Sequence, residues 1–219
     1  MKALIFDCDG VLVDSEPVYA QAFSATLTAF GLPLPAAMLQ SSLQGKSMSD
    51  CYRWLAKHWQ FTVSKAFEQE LFAETDRLLP ELLKPVDGIL DVVKSAIVPK
   101  AVASNGVRRS VENNLASCHL APYFGKHVYT ASQVAKPKPA PDVYAFAASQ
   151  LGIAAIDCAV IEDSALGVQA ALAAGMQVCW LTHGREVSLD FVGDAQARVT
   201  VAPTIDEVYS WAKAHKLIA

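Results

Sequence analysis

Two aspartates one residue apart, Asp7 and Asp9, close an apolar run near the start of the chain, in Phe6-Asp7-Cys8-Asp9-Gly10. Lys2 to Phe6 reads as a short buried strand, and Gly10 stops it. Alternation along a strand puts Asp7 and Asp9 on one side and Cys8 on the other, which makes Cys8 core filler rather than a nucleophile. Two like charges this close are costly to bury unless a cation or a proton sits between them. A strand end carrying such a pair suits Mg²⁺ and phosphoryl chemistry. Standing alone, Asp-x-Asp-Gly is equally well a turn with solvated acids.

Three further polar clusters follow at the ends of predicted elements. Ser104-Asn105-Gly106 ends a strand over 100–103. Glu162-Asp163-Ser164 ends a strand over 158–161. Lys136-Pro137-Lys138-Pro139-Ala140-Pro141-Asp142 places a lysine just before a helix predicted over 139–151, whose free N–H groups and positive dipole end suit an anion. Each has a plain reading: a turn, a helix cap, solvated lysines. Together they place carboxylates, a hydroxyl, a lysine and a second acidic pair in order along the chain. In an open α/β sheet, ligands bind beyond the carboxyl ends of the strands, so such clusters can converge.

The elements that must position them fall into two kinds. Residues 17–83 read as helices: one starting at Pro17 with Tyr19, Phe23, Leu27 and Phe30 at near-helical spacing, one over 47–59 with Ser47 as N-cap, and one over 64–83 broken at Pro80. From residue 86 helix and strand alternate. Helices are predicted over 88–97, 107–118, 139–151 and 164–174, and further strands over 127–130, 178–182 and 198–201. Alternation of this kind implies a parallel sheet covered on both faces. The expected architecture is therefore a doubly wound α/β core over residues 1–16 and 84–219, interrupted by a helical domain over 17–83. The hinges fall at Asp14-Ser15-Glu16 and Lys84-Pro85-Val86.

On these motifs the chain resembles the haloacid dehalogenase-like hydrolase superfamily, in its β-phosphoglucomutase-like phosphatase branch with a helical cap. The DxDG motif is Asp7-Cys8-Asp9-Gly10, continued by Asp14-Ser15-Glu16-Pro17. The second motif is Ser104, the third is Lys138 in Lys138-Pro139-Ala140-Pro141-Asp142, and the fourth is Glu162-Asp163. The resemblance implies that Asp7 is the nucleophile, forming an aspartyl-phosphate, and that Asp9 is the general acid and base. It implies Mg²⁺ held by Asp7, by the main-chain carbonyl of Asp9 and by Asp163, with Glu162 direct or through water. Ser104, Lys138 and main-chain N–H groups near Cys8, Asp9 and Asn105 would hold the phosphoryl oxygens. Gln44, Gly45, Lys46 and Ser47 would form the specificity loop of the cap.

The implied substrate is a small phosphorylated metabolite, a sugar phosphate or sugar-acid phosphate. A sugar phosphomutase is the alternative. Mutases of this branch hold the distal phosphate with an arginine in a Gly-x-Ser-Arg run, where this chain has Gly45-Lys46-Ser47-Met48. Dehalogenation is disfavoured by the second aspartate and by Asp163, and a phospho-acceptor signalling domain by the helical insert. With 18 basic and 22 acidic residues in 219, the net charge of −4 gives no nucleic-acid footprint. No apolar run is long enough to span a membrane, and no signal peptide is visible. Five cysteines without a CxxC pair point to a reduced, cytoplasmic protein, expected as a monomer. The five histidines show no ligand spacing.

Overall fold

The computed structural model describes every residue except Gln44, Gly45 and Ser47. In chain order the strands are β1 (Ala3–Phe6), β2 (Val13–Asp14), β3 (Lys84–Pro85), β4 (Lys100–Ser104), β5 (Val128–Thr130), β6 (Cys158–Glu162), β7 (Gln177–Leu181) and β8 (Val199–Ala202). The helices are α1 (Glu16–Ala29), α2 (Ala36–Leu43), α3 (Met48–Trp59), α4 (Lys65–Leu82), α5 (Ile89–Ser95), α6 (Arg108–Ser117), α7 (Ala121–Phe124), α8 (Asp142–Leu151), α9 (Ala165–Ala173) and α10 (Ile205–Ala214). The chain divides into two compact units, Met1–Asp14 with Pro85–Ala219, and Ser15–Lys84.

In the first unit six strands form one parallel sheet in the order β5-β4-β1-β6-β7-β8. β1 lies inside the sheet, with β4 on one side and β6 on the other. The order reverses across β1, which opens a crevice at its carboxyl end, the usual ligand position in such sheets. All four residues of β1 are fully buried, as an interior parallel strand requires. Ala3 and Ile5 join Ala101, Val160, Val178, Val143, Tyr144 and Val168 in the core on the α8 and α9 face. Phe6, of opposite parity, meets the ring of Phe124 edge-on at 5.6 Å.

Among its described residues the second unit is built from α1 to α4, with β3 starting at its last residue, Lys84. Its core centres on Phe67, whose ring meets Phe23, Phe30 and Phe61 at 5.2 to 6.3 Å, with Leu27, Leu39, Leu55 and Leu71 also buried. Phe23 thus belongs to the packing of this unit. Ser64 accepts from the Phe67 N–H and caps α4.

Several boundaries differ from the sequence-based expectation. α4 continues through Pro80 to Leu82, since a proline one turn from a helix end removes a single hydrogen bond. α8 starts at Asp142, not at residue 139, because the chain turns ahead of the helix, with the Ala140 N–H donating to the Pro137 carbonyl. The helices α2, α7 and α10 were not predicted. α10 carries a full capping box between Thr204 and Glu207, a signal present in the sequence.

Candidate active site

Asp7 follows β1, and Glu162 is the last residue of the neighbouring β6. The two strands run parallel with Phe6 opposite Ile161, and the Asp7 N–H donates to the Ile161 carbonyl at 3.0 Å. Equal parity therefore sets the Asp7 and Glu162 side chains next to each other, on the face covered by α8 and α9. Asp163 follows directly. Carboxylate oxygens of Asp7, Glu162 and Asp163 lie within 4.8 Å of one another.

Lys138 reaches this cluster from the turn before α8. Its Nζ donates to Asp7 Oδ1 at 2.6 Å, to Glu162 Oε1 at 2.8 Å and to the Tyr144 hydroxyl at 2.9 Å. Asn105 fixes the lysine backbone: its Oδ1 accepts from the Lys138 N–H at 2.9 Å and its Nδ2 donates to the Lys138 carbonyl at 3.3 Å. The Asn105 carboxamide is thus engaged in placing Lys138. Lys136 lies outside this network, and its N–H bonds to Asp142. Because α8 starts four residues after Lys138, its first turn is not the immediate partner of the lysine that the sequence suggested. Ser104, at the end of β4, is buried, and its Oγ accepts from the Gly106 N–H at 2.9 Å while keeping a hydrogen to donate.

Glu162 is seated under the first turn of α9. The Ser164 N–H and Oγ both donate to its Oε2, at 2.8 and 3.0 Å, and the Ser164 Oγ accepts from the Gly167 N–H. Gly167 leaves the room for this seat, since a Cβ there would lie 1.5 Å from Glu162 Oε1. On the opposite side, Arg185 Nη2 donates to the Asp163 main-chain carbonyl at 3.0 Å and to Asp163 Oδ2 at 3.3 Å, and Trp180 Nε1 donates to the same carbonyl. Gly10 has φ +77°, and a Cβ there would lie 2.3 Å from Asp163 Oδ2, so both conformation and space demand glycine.

The Asp9 carboxylate is not one of the three that lie within 4.8 Å of one another, but it adds to the rise of the Asp7 carboxyl. β1 ends at Phe6. The following residues curl back, with the Leu12 and Val13 N–H groups donating to the Cys8 carbonyl, so strand parity no longer applies at residue 9. Cys8 is fully buried, and burial pushes its thiol well above the usual range, which suits a packing role. His183 Nε2 lies 2.6 Å from the Gly10 carbonyl.

Burial drives the electrostatics. It raises the Asp7 carboxyl to about 7, against the Lys138 ammonium, with Glu162 adding to the rise. It also holds Asp163 well above the carboxylate range, helped by Glu162 and Asp7 and opposed by Arg185. Burial alone would depress the Lys138 ammonium, but Asp7 and Glu162 outweigh it and hold the group well above the usual lysine range. A further cation among the carboxylates would favour the ionised forms of Asp7 and Asp163. The donors are all carboxylate oxygens, hard ligands that fit Mg²⁺.

Of the expected specificity loop, Gln44, Gly45 and Ser47 lie outside the described residues. Lys46 is exposed and its Nζ donates to the Ser42 carbonyl. Sequence reasoning missed Tyr144, Trp180, Arg185 and Gly167. A glycine inside the Ala-rich run 165–173 was the visible signal, because it costs about 1 kcal/mol against alanine in a helix. Among the described residues no helix is long and apolar enough to cross a membrane, and all five cysteines are free and buried.

The family model for haloacid dehalogenase-like hydrolases matches residues 1–175. The chain is 25% identical to 6-phosphogluconate phosphatase of Escherichia coli K12, covering 81% of each chain. It is 32% identical to the phosphorylated carbohydrates phosphatase of Thermotoga maritima, covering 81% of this chain and 83% of the relative. A family hydrolase from Deinococcus radiodurans, solved with bound phosphate and sodium, superposes with a TM-score of 0.80 at 31% identity, covering 99% of this chain and 97% of that one. The chain therefore belongs to the haloacid dehalogenase-like hydrolase family, and it is a phosphoric monoester hydrolase.

Proposed function

We propose that the enzyme is an Mg²⁺-dependent phosphatase for a small phosphorylated sugar or sugar acid, working through an aspartyl-phosphate on Asp7. The observation that carries this reading is the Asp7 carboxylate, held at a strand end by Lys138 within 4.8 Å of two further carboxylates. The nucleophile is thereby fixed and partly neutralised. The T. maritima and E. coli relatives, both named as phosphatases of phosphorylated carbohydrates or sugar acids, support the substrate class.

In the first step an Asp7 oxygen attacks phosphorus, and Asp9 gives its proton to the departing sugar oxygen. In the second, Asp9 takes a proton from water as that water attacks the aspartyl-phosphate, which restores Asp7. Lys138 offsets the charge of Asp7 and of the phosphoryl group, and Ser104 and main-chain N–H groups near Cys8, Asp9 and Asn105 would donate to the phosphoryl oxygens. Asp7, Asp163 and the main-chain carbonyl of Asp9 would hold Mg²⁺, with Glu162 beside them. The bound cation would supply charge neutralisation between carboxylate and incoming phosphate.

Residues 17–83 would act as the cap that selects the substrate, through Gly45, Lys46 and Ser47 beside Gln44. Met48 stands where mutases of this branch carry an arginine, which favours hydrolysis over phosphoryl return. The test is phosphate release from a panel of sugar phosphates and phosphorylated sugar acids, with Mg²⁺ and with a chelator. Metal-dependent release from at least one of them is expected, and none from any would overturn the reading.

A further inference from the structure

An ammonium group has three N–H donors, and at Lys138 each one meets an acceptor: Asp7 Oδ1, Glu162 Oε1 and the Tyr144 hydroxyl. Tyr144 lies on α8 and is fully buried, with its ring centroid 4.5 Å from the same Nζ. The polarity of its bonds is fixed by chemistry. Lysine only donates, so the phenolic oxygen accepts from it. The phenolic hydrogen is then left for Glu162 Oε1, 3.1 Å away, and an ionised carboxylate only accepts. Lys138, Tyr144 and Glu162 thus close a three-membered ring of hydrogen bonds.

This ring decides what Glu162 has left to offer. A carboxylate has about four lone-pair sites. On Glu162 they are taken by Lys138 and Tyr144 at Oε1, and by the Ser164 N–H and Oγ at Oε2. The Gly167 cradle encloses the same group. Asp7 and Asp163 differ: among the described residues each takes one side-chain hydrogen bond, from Lys138 and from Arg185.

We propose that Tyr144 is a positioning residue, whose hydroxyl locks Glu162 to Lys138 so that Glu162 serves as the lysine's counter-ion and stays off the metal, leaving Asp7 and Asp163 as the side-chain ligands. The inference rests on the phosphatase reading above. Without the hydroxyl, one buried lysine donor loses its partner and one oxygen of Glu162 regains a lone pair. Both groups can then turn away from the geometry that holds Asp7.

The test uses the full chain with p-nitrophenyl phosphate as the probe, and Mg²⁺ titration calorimetry without substrate. Tyr144→Phe keeps the ring and removes only the hydroxyl. Its kcat should fall about tenfold at an assay temperature well below its Tm, with KM within threefold of the parent. Glu162→Gln should weaken Mg²⁺ binding less than fivefold, and Asp163→Asn more than fiftyfold. A Tyr144→Phe kcat within twofold of the parent overturns the inference, as does equal loss of Mg²⁺ affinity in Glu162→Gln and Asp163→Asn. If Tyr144→Phe does not fold, the two calorimetric variants decide. A parent enzyme that binds Mg²⁺ yet hydrolyses no phosphate monoester would instead defeat the phosphatase reading, while calorimetry still judges the ligand assignment.

Discussion

Replacing Gly167 by alanine tests whether the seat of Glu162 organises the whole site. The added methyl would stand 1.5 Å from Glu162 Oε1, 1.9 Å from its Cδ and 2.5 Å from Oε2. To restore ordinary van der Waals contact the carboxylate must retreat by about 2 Å. That distance breaks its bonds to Lys138 and Tyr144, which measure 2.8 and 3.1 Å. Losing two hydrogen bonds involving charged groups costs about 3–6 kcal/mol. The better helix propensity of alanine returns about 1 kcal/mol, so the net loss is about 2–5 kcal/mol. For a chain of this size each kcal/mol lowers Tm by about 2–4 °C, giving a drop of roughly 4–20 °C if the α/β unit melts as one transition. Scanning calorimetry measures the drop, and turnover measured well below the new Tm should fall at least tenfold, because Lys138 loses the partner opposite Asp7. A Gly167→Ala protein as stable and as active as the parent would show that Glu162 does not depend on that cradle.

Asp7→Asn should fold and lose several orders of magnitude in turnover, since a carboxamide is a poor nucleophile; rates within tenfold of the parent would remove Asp7 from that role. Asp163→Ala should raise the Mg²⁺ concentration for half-maximal activity by more than tenfold, with partial rescue at high metal, whereas an unchanged metal dependence would take Asp163 out of the site. With β-glucose 1-phosphate and a trace of sugar bisphosphate the enzyme should give free phosphate and no more than trace glucose 6-phosphate. A thioether at Met48 cannot grip a distal phosphate as an arginine does, and efficient isomerisation would refute that use of the cap sequence.

What the sequence made legible followed from local rules. An apolar run ending in Asp7 meant an interior strand, and strand parity placed Cys8 in the core and turned Asp7 the other way. The order of acidic pair, hydroxyl, lysine and acidic pair in the sequence singles out Ser104 and Glu162-Asp163 at strand ends and Lys138 in the turn ahead of α8. Parity describes extended chain only, and the chain curls after Phe6, so it does not by itself fix where Asp9 points. Tyr144 was invisible for a different reason. Val143, Tyr144, Ala147 and Ala148 form one buried stripe of α8, and an apolar stripe does not say which member carries a hydroxyl that matters. Arg185 sits beyond β7 in a stretch without periodicity, where only tertiary structure brings it to Asp163.

The charges of the site explain why these supporting residues are needed. Asp7, Glu162 and Asp163 carry three negative charges when ionised, and Lys138 and Arg185 supply two positive ones at their edges. The balance of one negative charge would repel a phosphate monoester. A divalent cation among the carboxylates would turn it to one positive, which would attract the dianion. Each supporting residue guards a part of this balance. Arg185 offsets Asp163 without covering both of its oxygens. Tyr144 and Ser164 give the buried Glu162 carboxylate its hydrogen-bond donors besides Lys138. Glu162 holds Lys138 against Asp7, and the Lys138 ammonium opposes the rise that burial gives the Asp7 carboxyl. Asp7 therefore stands at one end of a chain of buried hydrogen bonds that runs through Lys138 and Glu162 to the helix cap of α9, which is why a methyl group at Gly167 should reach it.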